Sequence, residues 1–178
     1  RGQRVGADGG VREDDAVRAD GLVIRQHDGQ GIRLRYRINC DHDWKPRKIS
    51  VQSLDELGSE LSITTDGSGH WVDAEGKSLD FLNGCVTVDV MATPFTNTLA
   101  IRHLGLSVGE SKEIDVVFVT IPELQLRRAA QRYTCLAQEP KGSRYLYESL
   151  GSGFKAELSV DAEQLVVVYQ AVWERLTL

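Results

Sequence analysis

Period-two alternation of apolar and polar residues dominates the chain. From Gly31 to Asn39, Ile32, Leu34, Tyr36 and Ile38 alternate with Arg33, Arg35 and Arg37, the pattern of a strand with one buried face. The same reading predicts strands over Leu22 to Arg25, Lys48 to Leu54, Glu60 to Thr65, Cys85 to Val90 and Glu113 to Ile121. Arg144 to Tyr147, Phe154 to Val160 and Leu165 to Tyr169 complete the series. Asp28 to Gly31, Asp66 to Gly69 and Asp161 to Gln164 carry the Gly, Asp and Gln residues of tight connections. Many short strands joined by such turns indicate an all-β sandwich, barrel or roll.

Helical periods are scarce. Thr93 can cap a short helix, with Pro94 at its first position. Glu123 to Ala137 fits two patterns. Leu126, Ala129, Ala130, Tyr133 and Ala137 would share a helical face, while Leu124 with Leu126 and Tyr133 with Cys135 fit strands. Residues 1–20 are rich in Gly, Arg and Asp and are expected to be a mobile or edge segment, with a single domain over residues 21–178.

Composition narrows the function. There are 21 Lys and Arg against 26 Asp and Glu, a balance that argues against nucleic acid as the main partner. No run of about 18 apolar residues is present, so no spanning helix is expected. The first residues, beginning at Arg1, have no apolar stretch of the signal-peptide kind, and a cytoplasmic location is expected. Cys40, Cys85 and Cys135 are too dispersed for a disulfide framework and read as buried thiols, which fits a reducing compartment. Cys40, Asp41, His42 and Asp43 lack the second close ligand pair of a structural zinc site, so no metal and no cofactor are expected. Walker, Rossmann, nucleophile-elbow and Cys-x-x-Cys patterns are absent from the sequence.

The strongest local signal is Asn83 to Ser111, NGCVTVDVMATPFTNTLAIRHLGLSVGES. Its Gly84-Cys85, Val88-Asp89, Thr93 to Leu99, and Arg102 with Leu104 to Leu106 resemble the signature of a bacterial family named Putative glycolipid-binding. Asp43 to Val51, Asp66 to Trp71, Ile121 to Leu126, Gln131 to Leu136 and Phe154 to Leu176 resemble further pieces in the same order. The resemblance implies a spiral β-roll, a strongly curved and mostly antiparallel sheet around an apolar interior that holds an apolar or amphipathic small molecule. The chain departs from the pattern at Ala100 (where the family has Pro), at His103 (Arg), and at Val168 to Gln170 (Asp-Tyr-Pro).

Two site readings follow. In the first, Thr93, Thr96, Asn97 and Thr98 hydrogen-bond a polar head group, with Arg102, Trp71 and Tyr133 as further ligand contacts. The competing view of that loop is structural, with its hydroxyls satisfying backbone groups. In the second, the chain is an isomerase or cyclase of a hydrophobic metabolite, with Asp89 and His103 as catalytic groups and Arg102 as the partner of Asp89. The bland view of these groups is a structural ion pair beside a surface histidine. A dry-cored interaction protein is the third alternative. Asp66 reads as a turn former. Trp44 is expected to close one end of the core, with Lys45 or Arg47 over its ring. The basic runs Lys45 to Lys48 and Arg127, Arg128, Arg132 read as solvated strand faces, with contact to an anionic membrane surface as the sharper idea. The oligomeric state, a homodimer included, is left open.

Overall fold

The alternating segments pair mainly with their neighbours in the chain. The structure, a computed structural model, describes residues 17–27, 30–55 and 58–176. The first sheet contains β1 (Val17–His27), β2 (Gln30–Cys40), β3 (Pro46–Ser53), β4 (Glu60–Thr65) and β5 (Trp71–Val72), antiparallel and in sequence order. Its register sets Ile38 opposite Ile49 and Ile49 opposite Ile63, so the apolar faces of three strands align. On the other face, Asp20 of β1 accepts hydrogen bonds from Arg35 Nε at 3.0 Å and Arg37 Nη2 at 3.1 Å. β1 is an edge strand that starts inside the segment expected to be mobile or edge, and residues 1–16 lie outside the described residues. So do Asp28 and Gly29 of the first expected turn.

The second sheet runs β12-β11-β10-β9-β8-β7-β6 and curls into a half-barrel. Its strands are β6 (Thr87–Val90), β7 (Ser111–Val119), β8 (Leu126–Glu139), β9 (Gly142–Ser149), β10 (Lys155–Asp161), β11 (Val166–Tyr169) and β12 (Trp173–Glu174). Register shifts at Cys135/Ala137 and Ser159/Val160 add the local bending that helps a sheet to curl. All neighbours are antiparallel except β6 and β7, which run parallel. Parallel neighbours need a crossover, supplied by α1 (Phe95–Leu104). The ambiguous segment from Glu123 to Ala137 is strand from Leu126 on, fixed by pairing to β7 and β9 on both sides.

Two apolar cores result. Ile38, Ile49, Ile63 and Trp71 meet Val88, Val90, Val117 and Val119 between the sheets. Ile114, Val116, Tyr133, Tyr147, Leu158 and Val166 line the inside of the curl with Ala100 and Ile101 of the helix. Thr96 to Ile101 are all buried, because α1 touches β6 on one side and β11 on the other. Helix entry differs by one position from the expected cap. Pro94 itself is the cap residue, and Thr93 Oγ1 accepts from the Phe95 N–H at 3.2 Å. Gly105 in the left-handed region ends the helix. The expected turn at Asp66 to Gly69 is present. Gly69 has φ 98°, and a Cβ there would come 3.0 Å from the Gly84 backbone, so the close approach depends on glycine.

Candidate functional site

A groove of about 360 Å³ opens where the edges of the two sheets meet the start of α1. Leu22 and Val23 of β1 and Tyr36 of β2 form one wall. Val166, Trp173 and Arg175 form the wall on the second sheet, and Ala92 to Phe95 with Thr98 line the helix side. Most of this lining is apolar. Leu22 is 62% exposed and Trp173 38% exposed, so each edge strand presents a large apolar side chain at the groove. Polar groups are few and placed. Thr93 Oγ1 donates to Tyr36 Oη at 3.0 Å, and Arg175 is held by Asp161 at 2.8 Å. Thr98 Oγ1 is buried without a hydrogen-bond partner among the described residues.

Of the hydroxyl segment read from sequence, Thr93 and Thr98 therefore line the groove, while Thr96 and Asn97 turn into the curl. There they join a buried polar network around Asp89. Gln131 Nε2 donates to Asp89 Oδ2 at 2.5 Å, Tyr133 Oη donates to Gln131 Oε1 at 3.2 Å, and Asn97 Nδ2 donates to Tyr133 Oη at 3.0 Å. Tyr147 packs edge-on against Tyr133 at 5.3 Å and against Tyr169 at 6.0 Å, with Phe154 beside both Tyr147 and Tyr169. Burial pushes the Asp89 carboxyl above its ordinary range, against the hydrogen bonds from Gln131 and Thr96. Burial also raises the phenols of Tyr133, Tyr147 and Tyr169, with the nearby Asp89 adding to each shift.

Thr96 links Asp89 to the start of the helix. Thr96 Oγ1 accepts from the Val90 N–H at 3.3 Å and lies 3.1 Å from the Thr93 carbonyl and 3.2 Å from Asp89 Oδ1. One hydroxyl hydrogen cannot serve both acceptors fully. If the carboxyl carries its proton, Asp89 donates to Thr96 and Thr96 donates to Thr93, and every group is satisfied.

Arg102, the partner expected for Asp89, lies elsewhere. Its guanidinium stacks 3.8 Å from the centre of the Trp44 ring and donates to the Glu163 carbonyl. The cation over Trp44 is thus Arg102 of the helix, not Lys45 or Arg47, which are nearer in sequence. Arg47 pairs with Asp41 at 2.7 Å. Asp41 also accepts from the Asp43 and Lys45 N–H groups. Arg102 and His103 border a second cavity of about 190 Å³ with Trp44, Lys45 and Thr87. Partial burial, with the charge of Lys45, holds the His103 imidazole below its usual value. Asp89 borders neither cavity.

Trp71 is fully buried between the sheets and donates from Nε1 to the Cys85 carbonyl at 2.7 Å. Tyr133 is likewise enclosed. Asp66, Ser68 and His70 cluster at the surface, but His70 reaches both Ser68 Oγ (3.0 Å) and Asp66 Oδ2 (3.3 Å) through the same Nδ1. A hydrolytic triad needs opposite ring nitrogens for those two contacts. Asp66 accepts from the Ser68 N–H and hydroxyl, which lower its carboxyl to about 2 and confirm turn chemistry. Arg128 pairs with Asp115 and Arg132 with Glu113 on exposed strand faces. Leu22, Tyr36, Trp173, Thr87 and Gln131 were not candidates from sequence. The only local signals were two exposed apolar positions on edge strands and an uncharged polar residue inside an otherwise basic strand.

Residues 10–175 match the family model described as Putative glycolipid-binding. The chain is also similar to the crystal structure of a DUF1089 family protein from Pseudomonas aeruginosa. The two share 33% identity over 98% of this chain and 100% of that chain, with a TM-score of 0.77. No curated protein matches the chain.

Proposed function

The chain belongs to the Putative glycolipid-binding family, and on that premise we propose that it binds an apolar or amphipathic small molecule in the groove between the two sheets. One observation carries the reading. The groove joins a mostly apolar lining to a few polar groups, Thr93, Tyr36 and Arg175. Small-molecule sites have this composition, apolar walls with a few placed polar groups, and the volume of 360 Å³ falls within their usual range of about 300–1,000 Å³. An alkyl chain would lie along Leu22, Val23, Val166 and Trp173, and a hydroxylated head group would meet Thr93 and Arg175. The groups an acid–base enzyme would use do not converge, since Asp89 is enclosed and His103 borders a different cavity.

Native mass spectrometry with dodecyl maltoside below its micelle concentration tests this. The expected result is saturable 1:1 binding that Leu22→Asp weakens at least tenfold. Leu22 is mostly exposed, so that variant should stay within about 0.5 kcal/mol of wild-type stability. Absence of saturable binding, or equal binding by Leu22→Asp, would overturn the proposal.

A further inference from the structure

The second cavity has chemistry that the groove lacks. It lies between the last turn of α1 and the connection from β2 to β3, and its walls set the cations Lys45 and Arg102 beside the apolar Trp44, Pro46, Val86 and Leu99. Arg102 contributes a guanidinium with no ion pair among the described residues, since Asp161, whose charge acts on it, is bound to Arg175. Arg102 Nε is buried with no hydrogen-bond partner among the described residues. Thr87 is 1% exposed, borders the same cavity, and its Oγ1 also has no partner among them. Buried donors without partners are uncommon in native proteins, and here two belong to residues that line one cavity.

We propose that this cavity is a binding site for a phosphate-class oxyanion, held by Arg102 and Thr87. Stacking on Trp44 fixes the plane of the guanidinium, whose Nη2 donates to the Glu163 carbonyl, and stacked arginines of this kind recognise oxyanions. Lys45 adds positive potential at the rim, where His103 also stands, and the exposed Asp43 is the one carboxylate in the lining. The volume of about 190 Å³ is below that of sites for whole drug-sized molecules but accommodates one oxyanion group. The site does not depend on the groove. It takes either the free ion or a phosphoryl head group.

Three probes separate these cases in calorimetric titrations: inorganic phosphate, dodecyl phosphate and dodecyl maltoside. We expect phosphate to bind saturably and to raise the His103 pKa measured by NMR, because a neighbouring anion favours imidazolium. Arg102→Gln should weaken phosphate at least tenfold. Thr87→Val should weaken it several-fold without lowering the melting temperature, since the hydroxyl it removes has no hydrogen-bond partner among the described residues. Equal affinity for phosphate and dodecyl phosphate identifies a free-ion site, whereas tighter dodecyl phosphate identifies an amphiphile head group. No saturable phosphate or dodecyl phosphate binding, or displacement of dodecyl phosphate by the neutral maltoside with no effect of Thr87→Val, overturns the site. If Arg102→Gln fails to fold, Thr87→Val and the His103 shift decide alone. Maltoside binding is scored separately, so failure here and failure of the groove reading give different results.

Discussion

Gln131 Nε2 reaches Asp89 Oδ2 at 2.5 Å although their strands, β8 and β6, are not neighbours. Alternate strands of a flat sheet stand about 9–10 Å apart. The contact across β7 is therefore a measure of how tightly the half-barrel curls, and it ties the parallel edge strand to the sheet beneath the helix.

Asp89 should make stability depend on pH in a defined direction. Its carboxyl is raised in the folded protein above the ordinary 3.8, so between that value and its folded pKa the folded state holds a proton that the unfolded state has lost. Its contribution is fully present below the unfolded pKa and is lost as pH rises toward the folded one, at about 1.4 kcal/mol per pH unit within that window. Asp89→Asn keeps an acceptor for Gln131 and a donor for Thr96 without the titration. Denaturant melts across pH should show the wild type losing stability relative to Asp89→Asn above pH 4. Asp89→Ala should cost about 1–3 kcal/mol below pH 4, by stranding the Gln131 amide, and less as pH rises, because it also removes the titration.

The groove wall depends on a glycine for space. A Cβ at Gly21 would lie 2.4 Å from the Tyr36 ring and 2.6 Å from its hydroxyl. Gly21→Ala must push the ring aside and break its bond to Thr93. We expect a stability loss of about 1–3 kcal/mol in a urea melt, in line with overpacking elsewhere. Weaker maltoside binding should accompany it, and a variant with unchanged melt and binding would show that Tyr36 does not shape the groove.

Cys40, Cys85 and Cys135 are buried and form no disulfide. Burial pushes the Cys85 thiol up to about 11 and raises Cys135 as well. Since the thiolate is the reactive form, a thiol reagent at pH 8 should label none of the three within minutes in the native protein and all three after denaturation. Rapid native labelling of Cys85 would contradict the burial described.

The sheets were legible because alternation is local. Ile32 to Ile38 state their buried face without help from other strands, whereas Val86 to Val90 mark a strand without telling that Thr87 and Asp89 are buried as well. The segment around Tyr133 was not, since only pairing with β7 and β9 decides between its two periodicities. The hydroxyls at Thr93 and Thr98 pointed to the site from sequence. Leu22 and Trp173 could not, because they come from opposite ends of the chain and meet only after both sheets form. The pairing of Asp89 with Arg102 failed for a related reason. The helix carries Arg102 to the Trp44 side, and the curl delivers Gln131 to Asp89 instead.

Trp173 offers the most direct test of the groove as a ligand site. An alkyl maltoside brominated along its chain should quench part of the wild-type tryptophan emission saturably. In Trp173→Phe that saturable component should disappear, while native mass spectrometry still shows the 1:1 complex. Quenching that never saturates, or that is unchanged in Trp173→Phe, would place the alkyl chain outside the groove and contradict the account.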